Sequence, residues 1–168
     1  MMRGTRGDYH IEISLTNQRL RLKRGTQVIT EYLVSTSRNG PGELQDSECT
    51  PRGEHVIYAK IGAHCPADTV FVSRLPTGEI YTPELRARFP SRDWILTRIV
   101  WLAGREPGKN AGDNVDSRER YIYIHGAPDD VPMGMPGSRG CIRMQNADII
   151  QLFDLIEVGM RVVIVEDS

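Results

Sequence analysis

In YHIEISL, Tyr9, Ile11, Ile13 and Leu15 alternate with His10, Glu12 and Ser14. A period of two is the side-chain repeat of a β-strand with one face buried. After the turn TNQ the alternation returns in RLRLK, and after RGT comes the β-branched and aromatic run QVITEYLVS, Gln27 to Ser35. Extended runs joined by connections this short can pair only with their neighbours, as an antiparallel meander. A chain that opens this way is committed to a sheet, and the rest must complete it.

The remaining segments fit. EHVIYAKIG, TVFVS, YIYIHG and RVVIV read as strands, and WILTRIVWL (Trp94 to Leu102), apolar on both faces, reads as a central one. TPELRARFP (Thr82 to Pro90) predicts one short capped helix. Ile149, Leu152, Phe153 and Ile156 form a single apolar stripe at helical spacing, with Asn146 expected as N-cap, Asp148 in the first turn and Gly159 as C-cap. Three polar, Gly- and Pro-containing loops separate these elements: Thr36 to Gly53, AGREPGKNAGDNVDSRER and APDDVPMGMPGSRG. Loops this long in a small domain are usually functional or mobile, and the one around Asn110 is a candidate lid. The expected fold is mainly β: one domain over residues 8–167, a β-sandwich or mixed sheet with one clear helix in its C-terminal half. Residues 1–7 are expected to be a disordered N-terminus. No internal repeat or second domain is visible.

Bulk properties exclude several function classes. With 168 residues and a net charge of −1, the chain lacks the basic excess of a general nucleic-acid binder. RLRLKRG reads as a half-exposed strand and not as a phosphate patch. No apolar run reaches the ~18 residues of a membrane span. MMRGTRGDYHIEIS has no apolar core of a signal peptide, so the chain reads either as cytoplasmic or as exported by a route it does not show. Cys49, Cys65 and Cys141 are an odd number; Cys49 and Cys65 can pair on paper, leaving Cys141 free. There is no CxxC. His55, His64 and Cys65 are the metal set that can be assembled on paper, and neither metal nor cofactor is expected. Trp94 and Trp101 read as core, His55 and His64 as surface or satisfied polar residues, and Tyr121 and Tyr123 as packing on one side of the sheet. Met133 and Met135 read as a cleft wall or as loop packing.

The chemistry concentrates in YIYIHGAPDDVPMGMPGSRGCIRM. A catalytic cysteine needs a base, backbone donors for an oxyanion, and access. His125 stands at a strand end before Gly126, and Cys141 follows after a loop able to fold back. Gly140 removes bulk beside the cysteine, the N–H groups of Arg139, Gly140 and Cys141 can converge on one oxygen, and Arg139 adds positive charge. Residue types alone leave a second reading open, since unpaired cysteine is also a common buried hydrophobe.

That stretch resembles the signature of the L,D-transpeptidase (YkuD/ErfK) family: histidine-glycine at a strand end, a loop, then Ser-His-Gly-Cys, a hydrophobic residue and Arg. CTPRGEHVI resembles the family's Thr-Pro-x-Gly segment at Thr50, Pro51 and Gly53, and the opening strands and closing helix and strand are also similar. The resemblance implies Cys141 as nucleophile, His125 as general base, the Gly126 carbonyl as third member, and an oxyanion hole from the N–H groups of Arg139, Gly140 and Cys141. It further implies substrate contacts from Ser138, Arg139 and Arg143, with no cofactor or metal. The implied partner is a peptidoglycan stem peptide or muropeptide, attacked where diaminopimelate joins D-alanine and passed as a thioester to an amine. Acylation by carbapenems, a place in the cell envelope and a monomeric state are implied with it. An L,D-carboxypeptidase, with water as acceptor, and a non-catalytic peptidoglycan-binding module are the alternatives. This chain departs from the pattern at Arg139, where the family usually has histidine. Arginine does not act as a base at any relevant pH, so His125 is the single candidate base.

Overall fold

The computed structural model describes residues 8–167, and the expectation for residues 1–7 lies outside them. Ten strands form one mixed sheet. In chain order they are β1 (Tyr9–Ser14), β2 (Arg19–Arg24), β3 (Gln27–Leu33), β4 (Gly53–Ile61), β5 (Thr69–Val72), β6 (Leu75–Ile80), β7 (Ile95–Gly104), β8 (Tyr123–Gly126), β9 (Ile142–Met144) and β10 (Arg161–Val165). The helices are α1 (Pro83–Arg88) and α2 (Asn146–Leu155). The sheet runs β3-β2-β1-β10-β4-β7-β5-β6, and β8 branches from β7 to carry β9. β1–β2–β3 is the expected antiparallel meander. β1 lies parallel to β10, and β8 parallel to β9. Among the described residues no helix is long and apolar enough to cross a membrane.

β7 is central: it pairs with β4, β5 and β8 and is buried on both faces. Val100 and Leu102 join the main core with Ile11, Ile13, Ile57 and Ile164, which α2 covers through Ile149, Leu152 and Phe153. On the other face Ile99 packs with Phe71 and Tyr123 in a smaller cluster, against which Cys65, Trp101 and Cys141 lean. Burying a large aliphatic side chain stabilises by about 1.5–3 kcal/mol, so these alternating positions fix which face every neighbouring residue takes.

Several local expectations are corrected. Asn146 is the first residue of α2, not its N-cap; Gln145 occupies that position without a side-chain cap, because the Asn146 amide is used elsewhere. The helix ends at Leu155 with Ile156 extended, and Gly159, at φ +94°, serves the turn into β10. Strand β8 begins at Tyr123, since Tyr121 has φ +57° and cannot continue a strand. β6 and β9 were not legible as strands. The segment around Asn110 is no lid. Asn110 is fully buried, donating to the carbonyls of Arg52 and Glu54 (3.0 Å each) and accepting from the Glu106 N–H (2.9 Å). It staples the loop to the start of β4, where that strand pairs with the end of β7. His55, buried, is held by Gly53 O and Ser117 Oγ, whereas His64 is exposed. All three cysteines are free thiols. Trp94 is core, but Trp101 is partly buried and meets Tyr58, Tyr121 and Tyr123.

Candidate active site

Alternation in the two parallel strands β8 and β9 builds the site. Ile122 and Ile124 on one, and Ile142 and Met144 on the other, point into the main core. Tyr123, His125, Cys141 and Arg143 must therefore share the opposite face. The register pairs Ile124 with Ile142 and His125 with Arg143, which sets Cys141 level with Tyr123, one pleat from His125. The irregularity that makes this possible lies in β7. Opposite Gly126 and His125 stand Leu96 and Ile99, so Thr97 and Arg98 bulge out of register. Such bulges recur beside functional sites, where they re-aim a strand. Thr97 sits at φ +76°, a costly conformation for a β-branched residue. Its hydroxyl compensates by donating to Asn146 Oδ1 (2.6 Å) and accepting from the Asp68 N–H (3.0 Å). Asn146 Nδ2 in turn donates to Ala127 O and Asp68 (3.0 Å each). This buried knot, not a helix cap, is the work of Asn146.

His125 is buried, and its Nδ1 lies 2.6 Å from the Gly126 carbonyl oxygen. A carbonyl only accepts, so the proton sits on Nδ1 and Nε2 is the basic nitrogen. Burial pushes the imidazole below its ordinary value of 6.5, with Asp93 and the Gly126 carbonyl acting against it. The Cys141 thiol donates to Tyr121 O (3.4 Å) and accepts from the Tyr123 N–H (3.4 Å). Burial pushes it up to about 12, with the Tyr123 N–H, Arg143 and Arg120 pulling the other way. Burial thus works against charge on both partners, the thiolate and the imidazolium. Tyr121 had no signal in the pattern as a partner of the thiol; its left-handed backbone aims the carbonyl.

The turn before the cysteine is fixed by Ser138. Buried, its hydroxyl donates to Cys141 O (2.5 Å) and accepts from the Gly140 N–H (3.2 Å). Thr50 Oγ1 donates to Gly140 O (2.9 Å) and accepts from the Ser37 N–H. The Ser138 side chain is thus committed to the loop and not available to a substrate. Of the three N–H groups expected at an oxyanion hole, that of Gly140 is taken. Those of Arg139 and Cys141 have no acceptor among the described residues. Gly140 has φ +128° and its α-carbon faces Cys49 O, so glycine is needed there. Arg143, half-buried, lies 3.9 Å from Asp93. Met133 and Met135 flank Gly134, whose N–H donates to Val34 O, so this part of the loop runs beside β3.

The cleft has two lobes that meet at Cys141, Arg120, Tyr121 and Arg139. One, about 310 Å³, adds Phe71, Arg74, Asp93 and Tyr123. The other, about 270 Å³, adds Gln45, Asp46, Glu48 and Glu119. Arg139 is exposed, and its guanidinium has no partner among the described residues.

The sheet thus sets Cys141 where the two lobes of the cleft meet, with the buried His125 one pleat away. The family model of the L,D-transpeptidase catalytic domain, YkuD, matches residues 8–164, and the chain belongs to this family. It is 33% identical over 94 residues to the putative L,D-transpeptidase YkuD of Bacillus subtilis, an overlap of 55% of this chain and 46% of that one. The chain spans less than half the length of the curated relatives it matches. The solved L,D-transpeptidase of Xylanimonas cellulosilytica shares the fold at a TM-score of 0.55 and 21% identity, covering 98% of this chain and 63% of that one. So does L,D-transpeptidase 3 of Mycobacterium tuberculosis, solved with a faropenem-derived adduct, at 0.57 and 15%, covering 94% and 60%.

Proposed function

We propose that this protein is a cysteine acyl-transferase acting on peptidoglycan stem peptides, with Cys141 as nucleophile and His125 as base. The observation that carries the reading is the pair itself: a thiol that lines both lobes of the cleft, one pleat from a buried imidazole whose proton is pinned on Nδ1.

In the first step the donor's carbonyl carbon enters above Cys141. The thiol proton passes to His125 Nε2 as the sulfur attacks, and the Gly126 carbonyl steadies the imidazolium through Nδ1–H. The developing oxyanion takes the free N–H groups of Arg139 and Cys141. When the C–N bond breaks, His125 returns the proton to the leaving amine, D-alanine departs, and a thioester remains on Cys141. In the second step His125 takes a proton from the acceptor amine, the amine attacks the thioester carbonyl, and the thiol is regenerated. The second lobe supports an amine acceptor by offering space for it beside the sulfur. The unpaired guanidinium of Arg139 supports an anionic donor, a stem-peptide carboxylate being the expected group. A stem-peptide substrate favours the cell envelope as the working site. It draws on no metal or cofactor.

Incubation with a disaccharide-tetrapeptide, read by mass spectrometry, tests the reading. A cross-linked dimer is the expected product. A tripeptide alone would make the enzyme an L,D-carboxypeptidase. Unchanged substrate, with no carbapenem adduct on Cys141, would leave only a peptidoglycan-binding role.

A further inference from the structure

Arg120 lies just before the aromatic stretch that leads into β8, and neither the motif nor the mechanism uses it. Its guanidinium reaches across to the loop at residues 42–49 and makes contacts along it. Nη1 donates to the carbonyls of Gly42 (3.4 Å) and Glu43 (3.2 Å); Nη2 donates to Ser47 Oγ (3.4 Å) and Cys49 O (2.7 Å). Only a planar fork with several donors can hold acceptors spread in this way; a lysine ammonium is a point charge. The grasp has a consequence at the nucleophile. The same Cys49 carbonyl faces the α-carbon of Gly140, and Thr50, the next residue, donates to Gly140 O. The loop that Arg120 holds is therefore the backing of the turn that carries Cys141. Arg120 also lines both lobes of the cleft together with Cys141. It is half-buried, and among the described residues no carboxylate pairs with it directly. The Glu43 and Asp46 carboxylates act on its charge without bonding to it, and the guanidinium in turn acts on the thiol.

We propose that Arg120 is a positioning residue for acyl transfer. It clasps the 42–49 loop against the Gly140 turn, and its unpaired charge favours the thiolate of Cys141. The proposal rests on Cys141 being the nucleophile.

The test compares the whole chain with Arg120→Gln and Arg120→Lys, with Arg118→Gln as the neighbouring control. Arg118 is half-buried, lies over the Tyr58 ring and pairs with Glu119, and its own side chain is not among those lining the two lobes. Two quantities are read: iodoacetamide alkylation of Cys141 against pH, followed on its own peptide by mass spectrometry, and kcat and KM on a tetrapeptide donor. Arg120→Gln is expected to slow alkylation about tenfold at each pH below the thiol's value, the effect of removing a nearby opposite charge. It should also lower kcat about tenfold or more, with a smaller change in KM. Arg120→Lys keeps the charge and loses the fork, so its profile should stay near wild type while kcat remains reduced. Should Arg120→Gln fail to fold, the Lys variant alone carries the test. Wild-type kcat in Arg120→Lys overturns the clasp, and a wild-type alkylation profile in Arg120→Gln overturns the electrostatic role. If the unmodified protein neither transfers nor hydrolyses while alkylation still depends on Arg120, the proposed function fails and Arg120's part in acyl transfer falls with it, leaving only its effect on the thiol.

Discussion

At the scale of single residues, the Cys141–His125 pair sets two expectations. Cys141→Ala should abolish product formation. His125→Ala should lower kcat by about 10²–10⁴-fold, the usual worth of a positioned base. The pH profile follows from the direction of the imidazole's shift. A base works only when unprotonated, and burial holds His125 below 6.5. The acid limb of kcat/KM should therefore fall below pH 6.5, and a limb at or above that value would remove His125 from the role. Arg139 is a separate case. Its backbone N–H serves whatever the side chain is, but its guanidinium faces the cleft without a partner. Arg139→Ala should raise KM about tenfold, equivalent to the ~1.5 kcal/mol of a charge-assisted hydrogen bond, with little change in kcat. A fall in kcat with KM unchanged would instead give the side chain a role in the transition state.

Among elements, the junction of β7, β8 and α2 decides whether the pair stays aligned. A methyl group on Gly126 would lie 2.3 Å from Asn146 Oδ1 and 2.7 Å from Leu96 O, so one of them must move. Gly126→Ala is expected to cost about 1–3 kcal/mol, the range for forcing extra volume into a packed interior. Matching urea midpoints for variant and wild type would show that the junction yields freely. This junction also marks where the pattern of residues stopped being readable. The meander, the two-faced strand β7 and the apolar stripe of α2 were legible because burial imposes a local period on them. Cys141 and His125 were legible because chemistry restricts the residue types around them. The bulge at Thr97, the buried amide of Asn146 and the fork of Arg120 were not. Each satisfies partners far along the chain, and such pairings leave no local period. Asn146 shows the difficulty: beside a helix start its type suggests a cap, but the demand of Thr97, Asp68 and Ala127 for a buried partner wins.

For the whole molecule, buried histidines link folding to pH. His55 is locked between Gly53 O and Ser117 Oγ, and burial lowers its pKa; His125 is lowered in the same direction. In the unfolded chain both titrate near the ordinary value of 6.5. Below that pH the unfolded chain takes up protons that the folded one refuses, so stability must fall as pH drops through this window. The slope is ~1.4 kcal/mol per pH unit for each histidine, until the folded pKa is reached. Carboxylates act lower on the scale. Glu43 and Glu54, held down by arginine partners against burial, contribute stability above 4.5 that is lost as pH falls through their folded values. Asp68 and Asp148, raised by burial, oppose that loss. The histidine contribution can be isolated by measuring urea midpoints between about pH 7 and pH 5, above the carboxylate range. Wild type should lose stability steadily across this interval. His55→Gln should be less stable at neutral pH, having lost its bond to Gly53 O or Ser117, yet show a shallower slope, because His125 and the similarly lowered His10 remain as titrating groups. An equal slope in both proteins would mean that His55 is not protonated on unfolding, and would shift the pH dependence onto His125 and His10.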